Sequence, residues 1–447
     1  MTFLIEFSIE KKMKDVNIIS LGCSKNLVDT ELLLKQLEKA GYQTSLSEEG
    51  EGAEIVVINT CGFIGDAKEE SIHTILEQIE RKKAGKLRKV LVMGCLSQRY
   101  KAELETEIPE VDAYFGKFDW KGILEYLGKQ YDDSVRNQRL LTTPSHYAYL
   151  KIAEGCNRSC SYCAIPLMTG KYKSREMEEI LEECRLLVQN GVKEILVMAQ
   201  DLTYYGTDLY GKNRLADLVG RMADIEGLKW IKLHYAYPAG FPMELLTVMR
   251  ERKNVCKYLD IALQHCSDPM LEKMRRGINK EQSMRLIRKI RQEVPGIYLR
   301  TTLMTGHPGE REEDFQELCE FVQEMKFERL GVFPYSHEED TYCDQHYRDD
   351  VPEKVKKKRA EKIMKIQQQI AEETNRSMLG KTVWVLIDRE EEGYYIGRTE
   401  HDSPEVDPEV IVKSDNPLQA GEFYRVKICG VYDYDLEGKV VGEEEGN

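Results

Sequence analysis

The 447-residue chain reads as an α/β protein in three parts: an N-terminal doubly wound α/β domain, a partial (βα)6 TIM-like barrel and a small C-terminal antiparallel β-barrel. Three observations set this division. Short β-branched runs alternate with helical patterns up to about residue 130, and the same alternation then recurs six times. From Lys381 onward, helical spacing gives way to short alternating strands separated by Gly, Pro and Asp. The domain bounds that follow are 15–130, 142–376 and 378–447.

In the first part, Val16–Leu21, Ile55–Asn59 and Val90–Met93 have the continuous apolar character of buried parallel strands. Between them, about Leu27–Ala40 and Ala67–Lys83 repeat apolar residues at helical spacing. The polar stretch Gln130–Pro144 reads as a linker of low order. Six further strands are expected at Tyr149–Ile152, Glu194–Met198, Trp230–Leu233, Tyr258–Leu263, Tyr298–Leu303 and Arg329–Phe333. Helical patterns such as Met177–Gln189, Lys280–Gln292 and Glu312–Met325 separate them; six units are two short of a full TIM barrel. Glu353–Arg376 is a long charged helix whose basic start, Lys354 to Arg359, reads as a solvated face, with RNA contact the lesser alternative. The last part places strands at Thr382–Ile387, Tyr394–Arg398, Val410–Val412 and Phe423–Ile428.

Apolar residues make up 41% and charged residues 32% of the chain, and no apolar run approaches the ~20 residues that span a bilayer. Residues 1–14 lack the layout of a signal peptide and read as an extension before a folded part that begins near Asp15. Twelve cysteines without an export signal imply a reducing, cytoplasmic setting in which thiols serve metals or catalysis. The net charge of −14 is uneven: Lys381 to Asn447 holds 7 Lys/Arg against 17 Asp/Glu. Such a module suits a basic protein partner better than a phosphate backbone.

The sharpest motif is Cys156-Asn157-Arg158-Ser159-Cys160-Ser161-Tyr162-Cys163. Three thiolates at CxxxCxxC spacing suit a four-iron cluster with one iron left open for another ligand. A structural zinc site and three unrelated thiols are the alternatives, although no second CxxC pair follows for zinc. Cys23, Cys61 and Cys95 each follow one of the first three strands. A parallel sheet brings strand ends to one edge, so these three are expected at one rim, with Gly22, Gly62 and Gly94 allowing close backbone approach. They read as a second three-cysteine cluster site, against the alternative of buried free thiols. Cys266, at the end of the fourth barrel strand, is the doubtful case among the remaining six.

The CxxxCxxC loop with Tyr162 before its last cysteine, opening a partial barrel, resembles the radical S-adenosylmethionine (SAM) superfamily. From about Asp15 the whole chain resembles the methylthiotransferases, which join a three-cysteine domain, a radical SAM barrel and a TRAM domain. Gln264-His265, Met274-Arg275-Arg276-Gly277, Gly306-His307-Pro308-Gly309-Glu310 and Phe333 to Thr341 are further matches. Leu21 to Asn26, Cys163-Ala164-Ile165-Pro166, Gly397 to Thr399 and Pro404 to Asp407 resemble the branch that modifies an aspartate of small-subunit ribosomal protein 12. Asp340 and Cys266 depart from the usual glycine and small residue, which bears on loop shape.

The resemblance implies two 4Fe-4S clusters, on Cys23, Cys61 and Cys95 and on Cys156, Cys160 and Cys163, with SAM as methyl donor and radical source. It also implies methylthiolation at the aspartate β-carbon, a low-potential donor of the flavodoxin or ferredoxin type, and a sulfur source. Candidate SAM contacts are Tyr162, Gln200, Gln264, Arg300 and Thr302, placed by their positions in the cluster loop or on barrel strands. No catalytic residue beyond the cluster ligands is expected. Lys25 and Asn26 read as caps of the helix that follows them. The rival substrate is a transfer RNA carrying a modified adenosine near the anticodon, which the acidic C-terminal module disfavours. A non-catalytic electron carrier is the more distant reading.

Overall fold

The computed structural model describes residues 15–47 and 52–441, so the expectation for residues 1–14 lies outside the described residues. Two compact units divide at Thr142 and Thr143.

In the first unit, β1 (Asp15–Ser20), α1 (Ser24–Lys39), β2 (Gln43–Leu46), β3 (Ile55–Thr60), α2 (Gly65–Lys83), β4 (Lys89–Gly94), α3 (Cys95–Glu107), β5 (Ala113–Tyr114) and α4 (Trp120–Tyr126) alternate along the chain. All pairings are parallel, in the order β2-β1-β3-β4-β5. Strand β3 is buried throughout, which is why its sequence, Ile-Val-Val-Ile-Asn-Thr, is nearly free of polar alternation. Leu33, Leu34 and Leu37 of α1 pack with Ile123 and Leu124 of α4 in one core. Ile75 and Ile79 of α2 pack with Leu96 and Leu104 of α3 in another. The unit is therefore doubly wound, and the strand order reverses beside β1, where such sheets bind ligands.

Residues 130–142 differ from the expected linker. The Gln36 amide bonds the Asp132 backbone in both directions at 2.9 and 3.0 Å, and Glu31 receives Arg139 and the Thr142 N–H, each at 2.8 Å. Polar side chains that look solvent-loving in sequence are here partners for polar groups on α1.

The second unit opens with β6 (Tyr147–Lys151), a short antiparallel pair β7 (Ala153–Glu154) and β8 (Lys173–Ser174) flanking α5 (Ile165–Thr169), and then α6 (Met177–Gln189). It continues through β9 (Glu194–Met198), α7 (Thr207–Tyr210), α8 (Leu215–Ala223), β10 (Trp230–Ala236), α9 (Glu244–Glu251), β11 (Val255–Ile261), α10 (Asp268–Lys273) and α11 (Lys280–Glu293). Strands β12 (Tyr298–Thr305) and β13 (Arg329–Pro334) follow, with α12 (Glu312–Met325) between them and α13 (Tyr342–His346) and α14 (Glu353–Arg376) after. The sheet is parallel, six-stranded and open, in the order β6-β9-β10-β11-β12-β13. The basic start of α14 is only partly a solvated face. Lys356 is buried against Asp349 at 2.6 Å, and Arg359 reaches Glu310 at 2.8 Å.

The C-terminal strands β14 (Thr382–Glu391), β15 (Tyr394–Arg398), β16 (Val410–Lys413), β17 (Phe423–Val431) and β18 (Leu436–Val440) close into a barrel, β14-β15-β16-β18-β17. One pairing, β16 with β18, is parallel rather than antiparallel. Strand β18 escapes sequence reading because it carries Gly438, where a Cβ would stand 2.3 Å from Val426. The loop between β15 and β16 packs on the strand starts of the open barrel. Arg398, at the end of β15, binds Glu194 at 2.7 Å, Arg329 binds Asp402 of the loop at 3.0 Å, and the Tyr258 hydroxyl donates to Asp407 at 2.8 Å.

Candidate functional site

The barrel cysteines occupy the loop between β7 and β8, after the first strand and thus on the face where barrels of this kind carry chemistry. Gly155 turns the chain into this loop at φ +76°, and a Cβ there would meet the Lys171 carbonyl at 2.2 Å. Only glycine satisfies both demands. The loop is then tied from several sides. Cys156 N–H donates to the Gly170 carbonyl at 3.2 Å, Ser161 N–H to Met274 at 3.0 Å, and the Ser161 carbonyl accepts from Cys343 at 2.7 Å. The Ser161 hydroxyl stands 3.2 Å from His307 Nε2. Burial holds His307 down to about 4, so it is neutral at physiological pH.

Burial pushes the Cys156 thiol up to about 11, and it raises Cys163 as well. A bound iron would favour the thiolate, which is the form that ligates. Among the described residues, no three metal-binding side chains converge on one point as a single-ion site needs. A cubane has no such requirement, because each thiolate binds a different iron. Three sulfurs on one glycine-entered loop fit that group.

Around this loop, Gln200 donates through Nε2 to Glu154 at 3.0 Å, while its Oε1 is buried without a hydrogen-bond partner. Gln264 adopts φ +72°, a strained backbone for a non-glycine residue, and its backbone N–H donates to the Thr302 carbonyl at 2.9 Å. Thr302 lies on the less buried face of β12, opposite Leu299, Thr301 and Leu303. The Tyr162 hydroxyl accepts from Arg276 at 3.2 Å and its ring meets His307 edge-on. Arg300 departs from expectation: near the start of β12 it ion-pairs with Asp407 of the C-terminal domain. Its charge is engaged there by a carboxylate. Cys266 is fully buried with Lys280, Glu317 and Cys319 as neighbours. The Gly306–Glu310 motif braces the fold, since Glu310 takes His265 at 3.2 Å, Arg359 at 2.8 Å and the Gly306 N–H.

In the first unit, Cys23 follows β1, Cys61 follows β3 and Cys95 begins α3 after β4, so three adjacent strands present their cysteines at one edge. A Cβ on Gly22 would stand 2.7 Å from Cys61 Cβ and 2.8 Å from its Sγ, so glycine is what lets the first two strand ends close up. Asn26 does not cap α1. Its amide ties the ends of β1 and β3 by donating to Leu21 and Thr60 carbonyls at 3.0 and 3.1 Å. Lys25 is likewise inside the helix, whose N-cap is Cys23. Burial pushes Cys95 up to about 12. At Cys23 desolvation also pushes the thiol up, but Lys25, Lys117 and two backbone amides outweigh it and favour the thiolate.

Family models match each part: residues 15–116 an uncharacterized protein family, UPF0004; residues 150–322 the radical SAM superfamily; residues 379–441 the TRAM domain. The open barrel, its cysteine loop and these matches define a radical SAM enzyme, for which 4Fe-4S clusters and SAM are the cofactors. The solved radical SAM methyltransferase TsrM from Kitasatospora setae, with cobalamin and a [4Fe-4S] cluster bound, shares the fold at 13% identity and a TM-score of 0.55, over 74% of this chain and 77% of that one. The "ribosomal protein uS12 methylthiotransferase RimO" of Porphyromonas gingivalis is 58% identical over 95% of this chain and 99% of its own length. The protein of the same name from Bacteroides thetaiotaomicron is 58% identical over 97% and 100%. The chain belongs to the RimO family of methylthiotransferases.

Arg276, Tyr237 and His307 were not among the residues expected at the site. Arg276 and His307 lie in motifs already conspicuous in the sequence; nothing near Tyr237 marks it.

Proposed function

We propose that this enzyme adds a methylthio group to the β-carbon of an aspartate in ribosomal protein uS12. One 4Fe-4S cluster is held by Cys23, Cys61 and Cys95, and the other by Cys156, Cys160 and Cys163. The observation that carries the reading is the presence of two separate three-cysteine sets in a chain 58% identical, nearly end to end, to proteins of that name. When bound, the barrel cluster and SAM supply radical chemistry that can take hydrogen from an unactivated carbon, which no side chain here could do.

The chain's own residues bind, orient and exclude water. Gln200 offers a buried acceptor with no partner, suited to an amino group of SAM. Gln264, in its strained turn just after β11, and Thr302, on the less buried face of β12, are further polar candidates for the same cofactor. Tyr162 covers the loop from the side of His307. A sulfur source and a low-potential donor of the flavodoxin or ferredoxin type complete the system. The acidic C-terminal domain favours a basic protein over transfer RNA as substrate.

The test is competition. Anaerobically reconstituted enzyme receives SAM, sulfide and reductant with uS12 and unmodified transfer RNA together, and both are analysed by mass spectrometry. Replacement of H by SCH₃ on an aspartate of uS12 is expected. A gain on transfer RNA alone overturns the substrate assignment.

A further inference from the structure

Arg276 is a buried cation whose charge the protein itself leaves unanswered. It is 3% exposed. Nη1 donates to Cys160 Sγ at 3.1 Å and to the Tyr162 hydroxyl at 3.2 Å, and Nη2 donates to the Ala262 carbonyl. Nε is buried without an acceptor. Among the described residues no carboxylate pairs with this guanidinium. The contrast with its neighbour is direct. Arg158 and Arg276 both lie over the Tyr237 ring, at 4.0 and 4.2 Å, yet Arg158 has Asp201 at 2.7 Å. Tyr237 in turn donates to the Arg276 carbonyl at 2.8 Å and stands 3.7 Å from Cys160 Sγ. Lys117, one of the two lysines acting on Cys23 in the other cysteine set, also has a carboxylate, Asp29, at 3.7 Å.

Burying an ionised group without a counter-charge is strongly unfavourable, so such an arrangement persists where something else supplies the charge. A four-iron cluster on three thiolates is a net anion, and one of those thiolates already accepts from Arg276. We infer that Arg276 is the counter-charge of the barrel cluster and sets its reduction potential, an inference that rests on Cys156, Cys160 and Cys163 holding that cluster. Reduction adds one negative charge. A fixed cation and a hydrogen bond to a ligand sulfur stabilise the reduced form more than the oxidised form, which raises the potential. The orphaned Nε is a remaining donor for the same anion. Tyr237 holds the guanidinium in place through the Arg276 carbonyl and the ring stack, so it is a positioning residue.

The experiment uses the full chain carrying Cys23→Ala, Cys61→Ala and Cys95→Ala, so that only the barrel cysteines load iron. Redox titration followed by electron paramagnetic resonance compares this parent with added Arg276→Met or Arg276→Lys. Arg276→Met is expected to lower the constant for one-electron reduction at least tenfold, a fall of about 59 mV. Arg276→Lys, which keeps the charge, is expected to recover at least half of that. Thermal unfolding of the cluster-free proteins supplies the control. Arg276→Met is expected to be no less stable than the parent there, because it removes an uncompensated buried charge. A midpoint unchanged by Arg276→Met, or the same fall with Arg276→Lys, overturns the inference. So does loss of cluster-free stability with an unmoved potential, the signature of a purely structural arginine. A parent that takes up no iron refutes the cluster assignment itself, and the inference with it.

Discussion

Replacing Glu194 with glutamine withdraws the negative centre of a charge network buried between the open barrel and the C-terminal domain. Both Glu194 oxygens accept from Arg398, at 3.1 and 2.7 Å, and Lys232 Nζ stands 2.7 Å away. None of the three side chains is more than 1% exposed. Without Glu194, Arg398 still has Asp388 at 2.7 Å, but Lys232 keeps only the carbonyls of Thr399 and Asp402 and the face of Trp230. Removing one member of a buried pair costs about 3–5 kcal/mol, because the surviving charge stays buried. With a urea slope of roughly 3 kcal/mol per molar, the unfolding midpoint should fall by about 1 to 1.7 M. Trp230 is the natural probe, since it packs edge-on against Phe423 with centroids 4.7 Å apart. Adding Lys232→Met to Glu194→Gln should return at least about 1 kcal/mol, because the stranded ammonium is then gone. A midpoint shift below about 0.3 M for Glu194→Gln would refute the claim that this network holds the two parts together.

The same network has an acid limb. Burial pushes the Asp388 carboxyl up, and His146 and Arg398 overcome it to hold the group at about 2 against an ordinary 3.8. Its stabilisation is complete above about pH 4 and is lost as pH falls toward 2, about 2 kcal/mol in all. Asp388→Asn should flatten that limb in urea titrations run from pH 5 downward. Gly155→Ala drives a Cβ into the Lys171 carbonyl at 2.2 Å, so iron loading of the barrel should drop to that of Cys156→Ala while the first unit still loads. Gly22→Ala meets Cys61 at 2.7 Å and should remove roughly half of the bound iron, leaving SAM cleavage at the barrel intact. Equal iron contents in the parent and Gly22→Ala proteins would sink the close-approach argument.

Much of the architecture was legible because buried parallel strands need uninterrupted apolar runs. Ile55–Thr60 and Glu194–Met198 stand out for that reason alone. Strand β18 did not, since a glycine replaces the side chain that would have marked its inward face. Residues 130–142 look like a linker only until Gln36 and Glu31 of α1 are seen to receive them. The basic run of α14 looks solvated until Lys356 and Arg359 are traced to carboxylates distant in sequence or across a turn. In each case a polar side chain has the same identity whether it faces water or a buried partner.

The functional site divides along the same line. The CxxxCxxC spacing is local, so the chain itself brings Cys156, Cys160 and Cys163 onto one loop, and strand topology predicts the shared edge of Cys23, Cys61 and Cys95. Which cations surround those sulfurs is a different kind of fact. Arg300 was expected near the cofactor and is drawn to Asp407, 107 residues away in sequence, whereas Arg276 was unassigned and lies on Cys160, 116 residues away. Spacing and periodicity act over a few residues, whereas the partner of a charge is chosen by whichever opposite charge or dipole the completed fold brings within reach. The sequence determined the sulfur ligands and the frame that carries them. Only the tertiary structure decided which of its arginines remain without a carboxylate.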